Sequence, residues 1–192
     1  MNTNLAFQEE YISTELINGQ VVLMSPSPAA NHFYAAGNIY SIFQHYLKGK
    51  TCVPFQDGFE LYLTDKDHFR PDVMIVCDAD KIKKDGVHGA PDLVVEVLSP
   101  STMKRDRTYK KEVYAKCGVK EYWLVDTNNK TVEQYLLQDS QLVLHEIYTV
   151  FPDFMLEKMS EKERAGLITE FKCSLYDDLL IKLEDVFERV TL

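Results

Sequence analysis

Residues 91–99 read PDLVVEVLS, and this stretch decides the fold that the sequence predicts. The turn signal Pro91-Asp92 is followed by a continuous aliphatic run, which is typical of a strand buried on both faces. Glu96 interrupts that run, and a charged side chain in so apolar a strand is unfavourable unless it is paired or bound to a cation. Glu96 is therefore a functional residue, a member of an internal salt bridge, or the sign of a strand face that meets solvent.

A second buried strand comes before this one and begins in the same way. Asp72 follows Pro71 and leads into the apolar run 73–76, and a third buried strand is predicted at 121–126. An aspartate after a proline is by itself common loop chemistry. However, two adjacent strands that both follow Pro-Asp would bring Asp72 and Glu96 to one site. Two neighbouring carboxylates repel each other, and a bridging Mg²⁺ ion relieves that repulsion.

Asp92 lies four residues before Glu96 and so on the same face of the strand. At about 3.3 Å per residue the two carboxylates are roughly 13 Å apart, which is too far to share one ion. Asp92 is therefore interpreted as a residue that shapes the start of the strand or supports the site indirectly.

Helical patterns flank the three strands. Ser27 is suited to cap a first helix and Pro28 to occupy its first position. Its apolar face is predicted from residues spaced three and four apart, namely Phe33, Ala36, Tyr40, Phe43 and Leu47. A second helix is predicted to begin near Arg105 or Asp106 and to end at Gly118. One side of that helix carries Lys110, Val113, Tyr114 and Cys117.

Hairpins are predicted at both ends of this core. Asn18-Gly19 lies between apolar runs at 15–24, and a pair of strands is predicted at 131–137 and 141–148. The segment 52–63 is expected to form a strand or hairpin, and the tail a final short helix near Val186-Phe187. The order of elements indicates one mixed-sheet α/β or α+β domain over residues 1–192.

The composition limits the function classes. The net charge of −9 argues against a protein that coats nucleic acid, although residues 101–120 carry +5 and the rest of the chain −14. That basic segment indicates local phosphate contact or, more commonly, a solvated helix face. No apolar run is long enough to span a bilayer and no signal peptide is recognisable, so a cytoplasmic protein is expected. The four cysteines show no metal-binding spacing and are expected to be reduced and buried.

Lys110 differs from its basic neighbours because it falls on the apolar side of the second helix. A lysine there either extends its ammonium group to solvent or meets an anion. Beside a metal-bound water, it would orient that water and offset charge that develops on a phosphate.

The runs 70–76, 91–102, 106–114 and 118–126 together resemble the Uma-two family, small bacterial proteins assigned to the PD-(D/E)XK nuclease superfamily. The run 15–26 and His32 are also similar to that family. The resemblance implies a restriction-endonuclease-like core of helix, three strands, helix and strand over about residues 28–137. The N-terminal hairpin 15–24 and a C-terminal extension 138–192 are added to it.

The resemblance also implies functional residues. Asp72 and Glu96 would bind Mg²⁺ or Mn²⁺, and a homodimer would pair two active sites. The superfamily lysine expected two residues after Glu96 is Leu98 here, so Lys110 is its expected replacement. Glu15 and Glu60 are further acidic residues that could approach the site, and no role is assigned to them.

Three hypotheses follow from these residues. The first is a magnesium-dependent DNA endonuclease with Asp72, Glu96 and Lys110 as its catalytic residues. The second is a non-catalytic binding module that retains the fold, and it is favoured by the overall acidity and the absent in-strand lysine. The third is a metal-dependent hydrolase of small phosphate esters.

Overall fold

The computed structural model describes residues 14–24, 29–56 and 58–191. The strands in chain order are β1 (Thr14–Ile17), β2 (Gln20–Leu23), β3 (Val53–Gln56), β4 (Leu61–Thr64), β5 (Asp67–Phe69), β6 (Val73–Val76), β7 (Val87–His88), β8 (Leu93–Val97), β9 (Glu121–Asp126), β10 (Thr131–Gln138), β11 (Gln141–Thr149), β12 (Glu170–Lys172) and β13 (Leu180–Lys182). The helices are α1 (Ala30–Tyr46), α2 (residues 103–117), α3 (Asp153–Leu156), α4 (Glu161–Ala165) and α5 (Leu183–Val186). None of these helices is long and apolar enough to cross a membrane.

A six-stranded sheet forms the centre of the fold, in the order β11-β10-β9-β8-β6-β3. Strands β8 and β9 are parallel, and the other neighbours are antiparallel. Alternate side chains of the buried strands enter two separate cores. Helix α1 and the C-terminal segment cover one face, and α2 with a second sheet covers the other. The predicted mixed-sheet fold with its helix–three strands–helix–strand core is therefore confirmed.

The second sheet has five short strands in the order β2-β1-β5-β4-β7. It begins with the predicted hairpin, in which Asn18 and Gly19 both have positive φ, as a tight two-residue turn requires. The prediction of one strand or hairpin over 52–63 was wrong, because β3 joins the central sheet and β4 joins the second sheet. Gly58 lies between them with φ of +97°, a conformation that lets the chain leave one sheet for the other.

Helix α1 lies against the central sheet through Ala35, Ile39 and Phe43. The predicted core position of Phe33 was wrong, since its side chain is 69% exposed. Phe43 and Leu47 of the predicted face are buried, but the buried side continues through Ile39 and Ala35 instead of Phe33. The predicted cap at Ser27 and Pro28 lies outside the described residues. The described helix begins at Ala30 after an extended Ala29.

Helix α2 contains a π-helical turn at Asp106–Lys110, between an α-helical start at Met103–Arg105 and an α-helical end at Lys111–Cys117. The wider turn brings both Asp106 and Lys110 to the buried side of the helix. The predicted end at Gly118 is confirmed, and this glycine adopts φ of +94°.

The conformation of Gly118 predicts that the same substitution has opposite effects at two glycines. No atom would meet a new Cβ at Gly118 or at Gly37, which lies within α1. Gly118→Ala should lower the free energy of unfolding by about 1 kcal/mol, because a side chain disfavours this left-handed conformation. Gly37→Ala should raise it by about 0.5–1 kcal/mol, because alanine favours a helix interior. Urea denaturation measures both changes, and equal signs would contradict the prediction.

The expectation of four reduced cysteines was wrong for one pair. Cys52 and Cys77 form a disulfide, because β3 and β6 are adjacent and bring residues 25 apart in sequence opposite each other. Cys117 and Cys173 are free thiols.

Candidate active site

A pocket of about 900 Å³ opens where the N-terminal end of α1 and the first turns of α2 meet the end of β8. The charged and titratable side chains that line it are Glu15, His32, Arg70, Asp72, Glu96, Arg105, Asp106 and Lys110. The structure therefore brings all three residues predicted from the sequence, Asp72, Glu96 and Lys110, to one cavity.

Glu96 points to the α2 side of the central sheet, because its strand neighbours Val95 and Val97 enter the core beneath α1. Only 4% of the residue is exposed, so the solvent-facing interpretation was wrong. One carboxylate oxygen, Oε1, accepts hydrogen bonds from Lys110 Nζ at 3.0 Å and from the Tyr114 hydroxyl at 2.7 Å. Burial raises the pKa of Glu96 well above its usual range, and the attraction of Lys110 opposes this shift only in part.

Lys110 is held in a cage of carboxylates. Its Nζ lies 2.8 Å from Glu15 Oε1, 3.0 Å from Glu96 Oε1 and 3.7 Å from Asp106 Oδ1, and only 3% of the residue is exposed. Burial alone would lower the pKa of this ammonium group. The three carboxylates, led by Glu96, outweigh that effect and raise the pKa, so Lys110 is charged.

Asp72 lies directly before β6, where the chain passes beside the end of β8. Its Oδ2 accepts the backbone N–H of Val97 at 2.6 Å and lies 3.4 Å from Nε2 of His32. Because Val97 directly follows Glu96, this hydrogen bond fixes Asp72 beside the strand position that carries Glu96. His32 enters the site from the first turn of α1.

Glu15 and Asp106 are parts of the site that sequence analysis missed or gave no role. Glu15, on β1, contacts Lys110 and also accepts the backbone N–H of Arg70 at 3.0 Å. Asp106 is 1% exposed, and its Oδ1 has no hydrogen-bond partner within the described part of the chain. The spacing of Asp106 and Lys110, four residues apart on one helix, was the available signal. For Glu15 the sequence contained no signal beyond the charge, because β1, on which it lies, belongs to a separate sheet that borders the pocket.

The charges around this pocket leave an excess of negative charge. The described lining has four carboxylates: Glu15, Glu96 and Asp106 surround the ammonium of Lys110, and Asp72 lies at the neighbouring strand position. Arg105 is a second cation and lies 3.6 Å from Glu15 Oε2. Burial raises the pKa of Asp106 as well, and the attraction of Lys110 opposes this shift only in part. Arg70, the third cation of the lining, is paired with Glu60, so negative charge remains in excess, and a bound divalent cation would offset it.

The donor atoms also fit such an ion. The described residues include no group of three or more His, Cys, Asp or Glu side chains arranged around a metal position. Magnesium, however, is usually held by one or two carboxylates and retains several waters. Both hydrogen-bond contacts of Glu96 fall on Oε1, and those of Asp72 on Oδ2. Within residues 14–24, 29–56 and 58–191, the second oxygen of each carboxylate has no such contact and would be available as a ligand.

The basic segment 101–120 is largely neutralised by partners within the chain. Arg107 pairs with Glu133, Lys116 with Glu112 and Lys120 with Asp92. Lys111 lies over the ring of Tyr135. The pairing of these cations favours the interpretation of a solvated helix face over that of a phosphate-binding surface.

Two other acidic residues have structural roles. Asp92 accepts the backbone N–H of Cys77 at 2.8 Å and an ammonium hydrogen bond from Lys120 at 2.7 Å, so it joins β6 to the start of β9. Glu60 pairs with Arg70 beside the pocket without lining it.

Comparisons with known proteins bear on the family and the fold. Residues 3–162 match the Uma2 family, described as "Putative restriction endonuclease". An uncharacterised protein of Synechocystis sp. is 29% identical over 135 residues, which cover 70% of this chain and 64% of that protein. The chain thus spans less than two thirds of that relative. A crystal structure from Anabaena variabilis, described as a "putative nuclease belonging to DUF820", has a TM-score of 0.68 and 19% identity. The match covers 91% of this chain and 89% of the other, and at that identity it shows the fold alone.

Proposed function

Because this chain belongs to the Uma2 family, we propose that it is a metal-dependent endonuclease that hydrolyses phosphodiester bonds of DNA. One observation carries the proposal: a pocket in which one carboxylate oxygen each of Asp72 and Glu96 makes no hydrogen bond to the described residues, beside a lysine and an excess of negative charge. A site that only stabilised the fold would be expected to balance its charges, since buried unpaired carboxylates destabilise a protein.

The proposed metal ligands are Asp72 and Glu96, and the proposed ion is Mg²⁺ or Mn²⁺. An ion held there would supply a bound water of lowered pKa and neutralise charge on the scissile phosphate. The hydrogen bonds from Val97 to Asp72 and from Tyr114 to Glu96 hold the two carboxylates in fixed orientations. Such supporting contacts commonly determine metal affinity.

Lys110 is proposed to orient the attacking water and to offset charge that develops on the phosphate. Its ammonium lies 3.0 Å from Glu96, so it borders the position where that water would be bound. Because it is charged and buried, it presents a fixed positive charge that needs no rearrangement during the reaction. In the PD-(D/E)XK superfamily, which this chain resembles, the lysine two residues after the metal-binding glutamate has this role.

Lys110→Arg is expected to preserve folding and lower the rate of hydrolysis about a hundredfold. Arginine keeps the positive charge among Glu15, Glu96 and Asp106, so the cage remains neutralised. Its planar, wider head group cannot place a single N–H at the same point. The rate of DNA cleavage at saturating Mn²⁺, with the circular dichroism spectrum as the check on folding, measures the effect. Activity equal to wild type would exclude a direct role for the lysine.

The function itself is tested by calorimetric titration of Mn²⁺ into the wild-type protein, followed by incubation with supercoiled plasmid, with and without a chelator. We expect metal binding and metal-dependent nicking. Cleavage of a chromogenic phosphodiester with plasmid untouched would instead indicate a hydrolase of small phosphate esters. A protein that binds no metal and cleaves neither substrate would be a binding module that retains the fold.

A further inference from the structure

Lys110 is not able to take up the proton of the attacking water. Hydrolysis by water is faster when a positioned group accepts that proton. An ammonium nitrogen has no lone pair, and the cage of Glu15, Glu96 and Asp106 keeps Lys110 in its ammonium form. Loss of its proton would leave three buried carboxylates without their cation, which is strongly unfavourable. The proton acceptor is therefore a different group.

Four other titratable groups of the pocket are already occupied. The ammonium of the lysine lies 2.8 Å from Oε1 of Glu15, and Arg105 lies 3.6 Å from its Oε2. Asp72 and Glu96 are the proposed metal ligands. Nε2 of His32 lies 3.4 Å from Asp72 Oδ2. A proton taken up by His32 would attract Asp72 and compete with the metal ion for that carboxylate.

Asp106 differs from these groups because one of its oxygens is unpaired. The residue lines the pocket and is 1% exposed, and Oδ1 has no hydrogen-bond partner within the described part of the chain. Buried polar atoms almost always have such a partner, so an exception at a pocket indicates a water or a ligand group. Oδ1 lies 3.7 Å from Lys110 Nζ. That distance is too long for a direct hydrogen bond and suits a water that contacts both atoms.

The π-helical turn of α2 fixes Asp106 in this position. The turn brings Asp106 and Lys110 to the same buried side of the helix. The backbone N–H of Asp106 donates to the Thr102 carbonyl at 3.0 Å, and its own carbonyl accepts the Tyr122 hydroxyl at 3.1 Å. Single π-helical turns are frequent at functional sites. The unpaired oxygen is thus held in place by the helix and by β9, on which Tyr122 lies.

We propose that Asp106 is the proton acceptor of the hydrolysis. A water between its Oδ1 and Nζ of Lys110 gives one proton to Oδ1, and the electron pair of that O–H bond forms the new bond from oxygen to phosphorus. The bond from phosphorus to the leaving oxygen breaks, and the leaving oxygen takes a proton from solvent. Asp106 then returns its proton to solvent. Burial raises the pKa of Asp106, which makes its carboxylate a stronger base. This inference rests on the proposed function and adds a step that neither the metal ligands nor Lys110 perform.

Chemical rescue tests this role. Asp106→Asn and Asp106→Ala should both cleave plasmid about a thousandfold more slowly than the wild type at saturating Mn²⁺. Added formate should accelerate Asp106→Ala about tenfold, because a small carboxylate can enter the space that the side chain leaves but is held there less well than the side chain. Formate should not accelerate Asp106→Asn, in which the amide fills that space, or the wild type.

Binding of Mn²⁺ separates a proton acceptor from a metal ligand. Calorimetry should show that Asp106→Asn retains most of the wild-type affinity for Mn²⁺, whereas Glu96→Gln loses it. The fold should tolerate the change, since Lys110 keeps Glu15 and Glu96 as partners, and circular dichroism checks this. Asp67→Asn is the matched control. Asp67 is 7% exposed and does not line the pocket, so this variant should cleave plasmid like the wild type.

Three results would overturn the inference and leave the proposed nuclease activity intact. The first is an Asp106→Asn protein that cleaves plasmid at the wild-type rate. The second is an Asp106→Ala protein that formate does not accelerate. The third is a loss of Mn²⁺ affinity in Asp106→Asn as large as that in Glu96→Gln, because Asp106 would then be a metal ligand. A wild-type protein that cleaves no DNA would instead overturn the proposed function, and this inference with it.

Discussion

Glu96→Gln is expected to lower the rate of DNA hydrolysis about a thousandfold, the effect of removing one preorganised electrostatic group from a catalytic site. The amide keeps the shape of the side chain and can still accept the hydrogen bond from Tyr114. It removes the charge, and with it the anionic oxygen that we propose as a metal ligand. Calorimetry should therefore show weaker Mn²⁺ binding in the same protein.

The fold should tolerate this change. Burial disfavours the ionised form of Glu96 and raises its pKa, so a neutral residue at this position avoids an unfavourable charge. Lys110 retains Glu15 and Asp106 as partners. Glu133→Gln is the matched control, because Glu133 forms an ion pair with Arg107 outside the pocket, and it should cleave DNA like the wild type. A Glu96→Gln protein that binds Mn²⁺ and cleaves DNA at the wild-type rate would refute the proposed site.

Glu121→Ala is expected to lower the free energy of unfolding by about 4 kcal/mol. Glu121 is fully buried at the start of β9. It accepts hydrogen bonds from Trp123 Nε1 at 2.6 Å, from Gln134 Nε2 at 2.6 Å and from the backbone N–H of Ser174 at 2.8 Å. Alanine would leave these buried donors without their acceptor, and each such group is destabilising by about 1–3 kcal/mol.

Urea denaturation followed by circular dichroism measures this loss, and Glu112→Ala is its control. Glu112 is exposed and forms an ion pair with Lys116, so its replacement should change stability by less than about 0.5 kcal/mol. If the free energy of unfolding changed only slightly in both variants, water would have replaced Glu121 as the acceptor for these donors, and the prediction would be wrong. Trp123 belongs to this network, so its fluorescence is not a suitable probe.

Two of the three catalytic candidates could be found from sequence because each of them breaks a local pattern. Glu96 interrupts an aliphatic strand, and Lys110 falls on the apolar side of a helix that also carries Tyr114. Such breaks are visible within a few residues. Asp72 was connected to Glu96 because both strands follow Pro-Asp, and the resemblance of several runs to one family then implied the same pair.

The remaining features depend on distant parts of the chain. Glu15 reaches Lys110 only because β1 joins a second sheet made of strands of two to four residues, too short for a reliable periodic pattern. Phe33 was misplaced because Ala35 and Ile39 also lie at helical spacing from Phe43, and only the sheet decides which positions are buried. Asp106, whose Oδ1 has no hydrogen-bond partner among the described residues, lies on the buried side of a π-helical turn. Sequence patterns give no rule for such a turn. The Cys52–Cys77 disulfide depends on the pairing of β3 with β6.

The attachment of the C-terminal segment has a consequence for fragments of the protein. Almost every residue from 153 to 170 is exposed, so a protease would have access to this stretch. Beyond it, Phe171 packs on Trp123 and Tyr148, and Ser174 is bound to Glu121. A single cut would thus leave a large and a small piece held together without a covalent link. The two pieces, expressed separately, should reassemble when mixed.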